Sequence, residues 1–414
     1  MEIEEIAGKI KKAGGKVYLV GGSLRDNVMG RESHDQDYCV TGLSFDEFLE
    51  IFPEAIVRGK SFQVFDLYGA EFAIARIERK SGIGHKEFEV YTDKNITIEE
   101  DLARRDITIN SIAKDVLTGK IIDPYGGTKD IESKCIRATT NCFKEDPLRV
   151  YRVARFASCL EFDVEKNTIE LMKSLKGELL TLSKERVFEE FRKAIRSNKP
   201  SIFFEVLKQA DILDVHFLEI YKLIGALQPE KYHPEGDSYV HTMQVLDRVS
   251  KMASKEEIRF AGLVHDLGKG ATPKNEYPHH YGHDKRGIEE VHKLSKRIGV
   301  PSAWEKCGVV SCKEHMLAGT FFKMKPEKQV RLIERVNNTI LGLKGLQTVV
   351  YADRGSRGDS LDFYKLAKEC LKQIDGKYIK EKYNISEKEG IRFKEELHKE
   401  RVKWMKDCNT NVIF

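Results

Sequence analysis

The sequence predicts a mixed α/β N-terminal part followed by an all-helical remainder. Three observations carry that prediction. Short β-branched and aromatic runs alternate with helix-like segments up to Gly127, long helical periodicity takes over from Phe143, and 414 residues are too many for one hydrophobic core. Roughly two to four domains are therefore expected.

Residues 3 to 13 place apolar and charged positions at helical spacing. Val17, Tyr18, Leu19 and Val20 then read as a strand, broken by Gly21 and Gly22 and followed by a helix-like segment with Arg25 and Asp26. Strand, glycine turn and helix start make a phosphate cradle: glycines admit backbone N–H groups to the oxygens, and the helix N-terminus adds positive potential. Asp35 and Asp37 stand two residues apart before Tyr38-Cys39-Val40. On a strand both carboxylates share one face and Gln36 takes the other, which suits presenting a divalent cation to a triphosphate. Each part alone is common in turns and loop ends. Their combination in one short stretch points to metal-assisted chemistry on a nucleotide.

Ser44, with Glu47 three residues later, predicts a capping-box helix to Phe52, and the runs 62–67 and 71–76 read as strands. Arg104 and Arg105 precede a helix-like run to Ala113. Such a pair is either a solvated helix start or a clamp for phosphate oxygens, which the guanidinium fork matches. Asp123-Pro124-Tyr125-Gly126-Gly127 closes the α/β part with a turn.

In the helical part, Asp146 is followed by Arg149, Arg152 and Arg155 at three-residue spacing, predicting one basic stripe. Standing alone it would be a surface stripe. As a nucleotide site, Asp146 and Arg149 offer hydrogen-bonding edges to a base while Arg152 and Arg155 meet phosphates. The segment 185–191 reads as a supporting helix.

A third unit begins near Lys231. His241, the pair His265-Asp266 within an apolar helix, and Asp353 offer mixed nitrogen and oxygen ligands for a transition metal, although any one of the histidines alone would be an ordinary buried side chain. His280, His283 and His315 are open candidates for a second metal position. The tail from Asp375 is Lys/Glu-rich, with Ile391, Phe393, Leu397 and Val402 at roughly helical spacing, and reads as a solvated amphipathic helix.

Hydrophobic content of 41% and charged content of 33% describe a globular chain with a charged surface. No apolar run reaches about eighteen residues, and the acidic start Met1-Glu2-Ile3-Glu4-Glu5 is not a leader, so a cytoplasmic address without a membrane partner is expected. The cysteines at 39, 135, 142, 159, 307, 312, 370 and 408 form no Cys-x-x-Cys pair and read as reduced thiols rather than a zinc ribbon. With 70 basic and 66 acidic residues, the net charge of +4 permits a nucleic-acid partner without requiring one.

Read together, GGSLRD with DQD, ARIERKSG at 75–82, RRDITINSIA, DPYGG, EDPLRVYRVARFA, ERVFEEF and the His-Asp series ending at Ala352-Asp353 carry a resemblance. The chain resembles the bacterial class II CCA-adding enzymes, which are tRNA nucleotidyltransferases, of the multifunctional type with a C-terminal HD phosphohydrolase domain. The resemblance covers all but the tail. It implies a polymerase-beta-like mixed-sheet nucleotidyltransferase head at 1–140, an all-α neck and body with a nucleotide-selecting helix at 141–225, an HD domain at 226–360 and a helical tail at 361–414. It implies that Asp35 and Asp37 are catalytic and bind Mg2+, that Gly22, Arg25 and Arg105 hold the triphosphate, and that Arg152 and Arg155 contact the incoming nucleotide. Asp146 and Arg149 match the amino-acid template that pairs with CTP or ATP. His241, His265, Asp266 and Asp353 would bind a transition metal such as Ni2+ in a phosphatase and 2′,3′-cyclic phosphodiesterase. The implied partners are tRNA, CTP and ATP, with the chain a monomer or homodimer.

A third metal-binding carboxylate is open among Glu71, Glu78 and Glu89. Beside complete CCA addition stand an enzyme adding only CC or only A, a poly(A) polymerase, and a guanosine tetraphosphate synthetase/hydrolase, in which the HD unit comes first rather than second. An RNA-binding protein with inactive sites is the reading from another class, and the intact Asp35, Asp37, His265 and Asp266 speak against it.

Overall fold

The computed structural model describes every residue except 33–35, 60–62, 81–87, 232, 356–361, 386 and 412–414. The chain divides into two compact units, Met1–Ala194 with Ile202–Val215, and Ile195–Ser201 with His216–Phe414. No helix among the described residues is long and apolar enough to cross a membrane.

The first unit is built on strands β1 (Lys16–Val20), β2 (Asp37–Thr41), β3 (Ile56–Arg58), β4 (Val64–Leu67), β5 (Ala70–Ile74), β6 (Arg76–Lys80), β7 (Phe88–Thr92), β8 (Ala113–Asp115) and β9 (Ile121–Ile122). A mixed seven-stranded sheet runs in the order β3-β4-β5-β2-β1-β8-β9, and β6 and β7 form a separate hairpin. The period of two sorts its side chains. Val17, Tyr38 and Val40 pack with Ile6, Ile10, Phe48 and Phe65 on one face, while Tyr18, Val20 and Cys39 pack with Ile98, Leu102 and Ala113 on the other. Asp37, two residues before Cys39, shares the second face, and β2 runs parallel to β5 with Asp37 opposite Glu71.

The expected helix after Ser44 spans Phe45–Ile51, with both bonds of its capping box present. The region around Arg104 departs from expectation. The arginines follow a helix, Ile98–Ala103, rather than precede one, and the chain continues through a single 3-10 turn, Thr108–Asn110, into β8. Ile107, Thr108 and Ile109 are β-branched, and Ile107 is extended and bridges to Ala138 while the Thr108 N–H donates to the Arg137 carbonyl, so only the one 3-10 turn forms before β8. Helices Arg149–Leu160 and Lys184–Ile195 follow.

The second unit is helical, with Ser238–Met252, Glu256–Val264, His283–Ile298, Ser302–Gly319, Pro326–Asn337 and Gly342–Arg354 around a core that includes Leu332, Ile333, Leu346 and Val349. His265 and Asp266 stand just past the end of helix Glu256–Val264 rather than inside it. From Asp375 the tail holds the helices Gly376–Tyr383 and Ile391–Asn411, and it is packed rather than solvated: Met405 is fully buried in that core, and Arg401 and His398 pair with Glu334. Ile391 faces outward.

Candidate active sites

In the first unit, β1 ends at Val20 and the helix Gly21–Val28 starts at once, which requires the positive φ of +73° at Gly21. A Cβ there would lie 3.4 Å from Asp37 Oδ2 and 3.5 Å from an Arg105 guanidinium nitrogen, so the turn, the β2 carboxylate and Arg105 meet at one point. They line a cleft of about 460 Å3 together with Gly22, Arg25, Asp146, Arg149 and Arg152. Of the residues singled out from the sequence, Arg155 does not line it, and Asp35 lies outside the described residues. Glu71, opposite Asp37, does line it; the side chains of Glu78 and Glu89 lie outside the described ones. Burial and then the Asp37 charge push the Glu71 carboxyl up, as expected for two neighbouring carboxylates.

Among the described residues, seven arginines and five carboxylates line this cleft. Asp101 is buried and takes Arg104 at 2.5 Å and Arg105 at 3.0 Å. Asp106 is buried and accepts from Arg152 Nε at 2.7 Å. Burial opposes ionisation of both, yet the arginine charges win and hold Asp101 and Asp106 at about 2. Asn110 ties the set together: its Oδ1 accepts from Arg25 at 2.9 Å, its Nδ2 donates to Asp106 at 3.3 Å, and its carbonyl accepts from Arg105 at 3.3 Å. Asp146 accepts from the Leu148 N–H at 3.0 Å and from Arg186 at 2.8 Å, and the buried Arg149 donates to the Cys142 carbonyl at 2.7 Å.

The three arginines after Asp146 do not form one stripe. Residues six apart on a helix are rotated by about 120° from each other. Arg149 and Arg152 therefore face the cleft, while Arg155 pairs with the buried Glu190 at 2.5 Å and lies over the Phe156 ring. Phe156 is also approached by Arg25 and Arg152 at 5.3 and 5.6 Å from its centroid, so one ring is the common platform of three guanidiniums.

In the second unit, His265 Nε2 lies 3.2 Å from Asp266 Oδ2, and His241 Nε2 lies 3.0 Å from Asp353 Oδ1 and 3.7 Å from Asp266 Oδ2. His283 and His315 approach the other oxygen of Asp266, each at 3.4 Å. Two neighbouring ligand groups result, His241-His265-Asp353 and Asp266-His283-His315. His280 belongs to neither, because its ring nitrogens are engaged by Thr272 and the Leu227 carbonyl. Gly268 makes the close approach possible: a Cβ there would sit 1.9 Å from the His283 carbonyl oxygen. Burial opposes ionisation of Asp266, but the charges of His265 and Lys269, with Nζ at 2.5 Å, hold it well below the usual carboxylate range.

The donor set fits a metal. His265, His283 and His315 each turn Nδ1 to a main-chain carbonyl, leaving Nε2 inward. His265 Nε2, His283 Nε2 and Asp266 Oδ1 are buried with no hydrogen-bond partner, the state of atoms shaped for a ligand.

Three family models match the chain: the Poly A polymerase head domain over 17–137, the probable RNA and SrmB-binding site of polymerase A over 161–223, and the HD domain over 238–346. The multifunctional CCA protein of Shewanella frigidimarina is 42% identical over 327 residues, covering 77% of this chain and 78% of its own. The chain belongs to the multifunctional CCA protein family. The family member of Vibrio parahaemolyticus is 38% identical over 363 residues, covering 82% of this chain and 89% of its own. Among solved structures, a CCA-adding enzyme in apo form II shares the fold with a TM-score of 0.68 at 20% identity, covering 97% of this chain and 90% of that one. The complex of a CCA-adding enzyme with ATP aligns with a TM-score of 0.65 at 20% identity, over 97% and 90% of the two chains.

For this member of the multifunctional CCA protein family, sequence reasoning passed over Asp101, Asp106, Asn110 and Phe156, and took Arg186 only as part of a supporting helix. Asp101, Asp106 and Asn110 all lie within or beside RRDITIN, where a short polar residue next to an apolar run is a signal of inward-facing hydrogen bonding. Phe156 carried no such signal.

Proposed function

We propose that the chain adds C, C and A to the 3′ end of tRNA from CTP and ATP without a nucleic-acid template, and that its HD part hydrolyses phosphate monoesters and 2′,3′-cyclic phosphates. The observation that carries the first activity is the convergence in one cleft of Asp37 and Glu71 with Arg25, Arg105, Asp146, Arg149 and Arg152. In this reading the head (1–140), the neck and body (141–225), the HD domain (226–360) and the tail (361–414) divide the work, in a cytoplasmic monomer or homodimer.

The Gly21-Gly22 turn offers backbone N–H groups and the start of helix Gly21–Val28 to the triphosphate. Arg25 and Arg105 neutralise its oxygens, and Arg152 holds its register. Asp146 and Arg149 present an acceptor and donors, the combination needed to read the edges of cytosine and adenine. Asp35, Asp37 and Glu71 are the residues that would hold magnesium, which when bound neutralises the triphosphate and activates the RNA 3′-hydroxyl. Asp37 and Glu71 also place negative charge where the attacking hydroxyl must lose its proton.

In the HD part, His241, His265, Asp266 and Asp353, extended by His283 and His315, would hold a transition metal such as Ni2+, which when bound lowers the pKa of water and polarises a phosphate. Lys269, buried against Asp266, adds positive charge beside it.

The test is to supply tRNA lacking its CCA end with CTP and ATP, singly and together, and to sequence the 3′ ends. Complete CCA only with both nucleotides is the expected result. Termination at CC, or addition of A alone, would assign a partial enzyme, and a long A tail would overturn the reading.

A further inference from the structure

Four histidines face the HD carboxylates, and three of them give Nδ1–H to main-chain carbonyls: His265 to Gly262, His283 to His280, and His315 to Ser311. His241 is different. Its Nδ1 lies 2.6 Å from Glu235 Oε1, and the same oxygen lies 3.1 Å from Nδ1 of His233. The His233 ring meets the His241 ring nearly edge-on, with centroids 4.7 Å apart.

Glu235 is presented by a braced turn. The Gly236 N–H donates to the His233 carbonyl and the Gln228 N–H to the Gly236 carbonyl, both at 2.9 Å. The next residue, Asp237, takes the N–H groups of Tyr239 and Val240 at the start of helix Ser238–Met252, and that of Gly225 at 2.6 Å. The carboxylate therefore reaches His241 from a fixed backbone, with only 9% of its side chain exposed.

An imidazole ligates through one bare nitrogen, and the partner of its other N–H decides which nitrogen is bare and how the ring is turned. A carboxylate only accepts, so Nδ1 of His241 carries a proton toward Glu235, and Nε2 faces the Asp353 and Asp266 carboxylates, where a metal would sit. A carboxylate also does more than a carbonyl: its negative charge draws on the Nδ1 proton and makes Nε2 a stronger donor. His233, Glu235 and His241 do not make a ligand set of their own, because both rings already meet one carboxylate oxygen at hydrogen-bond distance.

We propose that Glu235 is a positioning residue of the HD centre, fixing His241 as an Nε2 ligand, with His233 bracing the same carboxylate oxygen. This rests on the metal-dependent reading of the HD part given above. The experiment is a nickel titration of the full-length, chelator-stripped protein against a chromophoric competitor, for wild type, Glu235→Gln, Glu235→Ala and His265→Ala, with circular dichroism melts of the stripped proteins as the folding control. Glu235→Ala is expected to weaken nickel binding by about 10- to 100-fold. Glu235→Gln keeps an acceptor without its charge and should fall between that variant and wild type. Unchanged affinity in Glu235→Ala, or equal loss in the Gln and Ala variants, overturns the proposal. Should Glu235→Ala not fold, Glu235→Gln decides alone: weaker binding supports the role and wild-type binding overturns it. A wild-type protein that binds nickel no more tightly than His265→Ala would instead overturn the HD metal reading itself.

Discussion

In the nucleotide cleft the arginines already have partners: Arg25 holds Asp26 and Asn110, Arg105 holds Asp101, Arg152 holds Asp106 and Arg186 holds Asp146. In the HD centre, by contrast, His265 Nε2, His283 Nε2 and Asp266 Oδ1 are buried and make no hydrogen bond, although these groups approach one another within 3.2 to 3.4 Å. A guanidinium can trade a carboxylate for a phosphate at little desolvation cost, which suits a site that must accept two different nucleotides in turn and release pyrophosphate. Buried atoms without partners cost about 1 to 3 kcal/mol each until a ligand satisfies them. The HD centre is thus shaped for a resident metal, and the cleft for passing substrates.

The largest test of this contrast separates the two sites. Asp37→Asn removes a carboxylate from the cleft and should lower CCA addition by on the order of 10^2- to 10^3-fold, as when a group stabilising developing charge is lost. Hydrolysis of a 2′,3′-cyclic nucleotide should stay at the wild-type rate. His265→Ala should do the reverse. If both folded variants lost both activities, the picture of two independent sites would be wrong.

A smaller effect tests which arginines serve the cleft. Arg152→Ala should raise the KM for both nucleotides by roughly 10-fold, the size of one charged hydrogen bond. Arg155→Ala should leave KM alone and act on stability, because it takes from the buried Glu190 its closer partner and leaves only Lys193 at 3.7 Å, a change worth up to about 3 kcal/mol. Steady-state kinetics beside urea melts distinguish the two. An equal rise in KM for Arg155→Ala would put that side chain back among the nucleotide contacts.

That pair also shows what the sequence could reveal. A three-residue spacing of arginines is visible in the letters; the 60° drift per step that carries Arg155 off the cleft becomes decisive only once Arg149 is known to face inward. The α/β head and the Ser44 capping box were legible because each depends on periods of two or on residues three apart. The β-branched run after Arg105 misled, since Ile107 is held extended and the helix cut to one turn by pairing with Ala138 and Arg137, more than twenty residues downstream. His283 and His315 could be suspected but not assigned, because the groove that admits His283 depends on Gly268 lacking a side chain. Glu71 was one candidate of three in the sequence, and its place opposite Asp37 is visible only in the strand register.

A further prediction concerns acid. Asp101 and Asp106 are held at about 2, below their ordinary value of 3.8, because the charges of Arg104, Arg105 and Arg152 outweigh their burial. A carboxyl depressed on folding contributes stability that is fully present above its unfolded value and is lost as pH falls through the folded one. Each should therefore give up about 2 kcal/mol between pH 4 and pH 2. Both tryptophans, Trp304 and Trp404, belong to the second unit, so fluorescence cannot follow this change and hydrogen exchange at β1 and β2 must. Protection of those strands should hold at pH 4 and decline steadily toward pH 2. Protection that stays flat across that window would mean the arginine pairs add no net stability, and that they persist in the cleft only as a reserve of charge for the nucleotide.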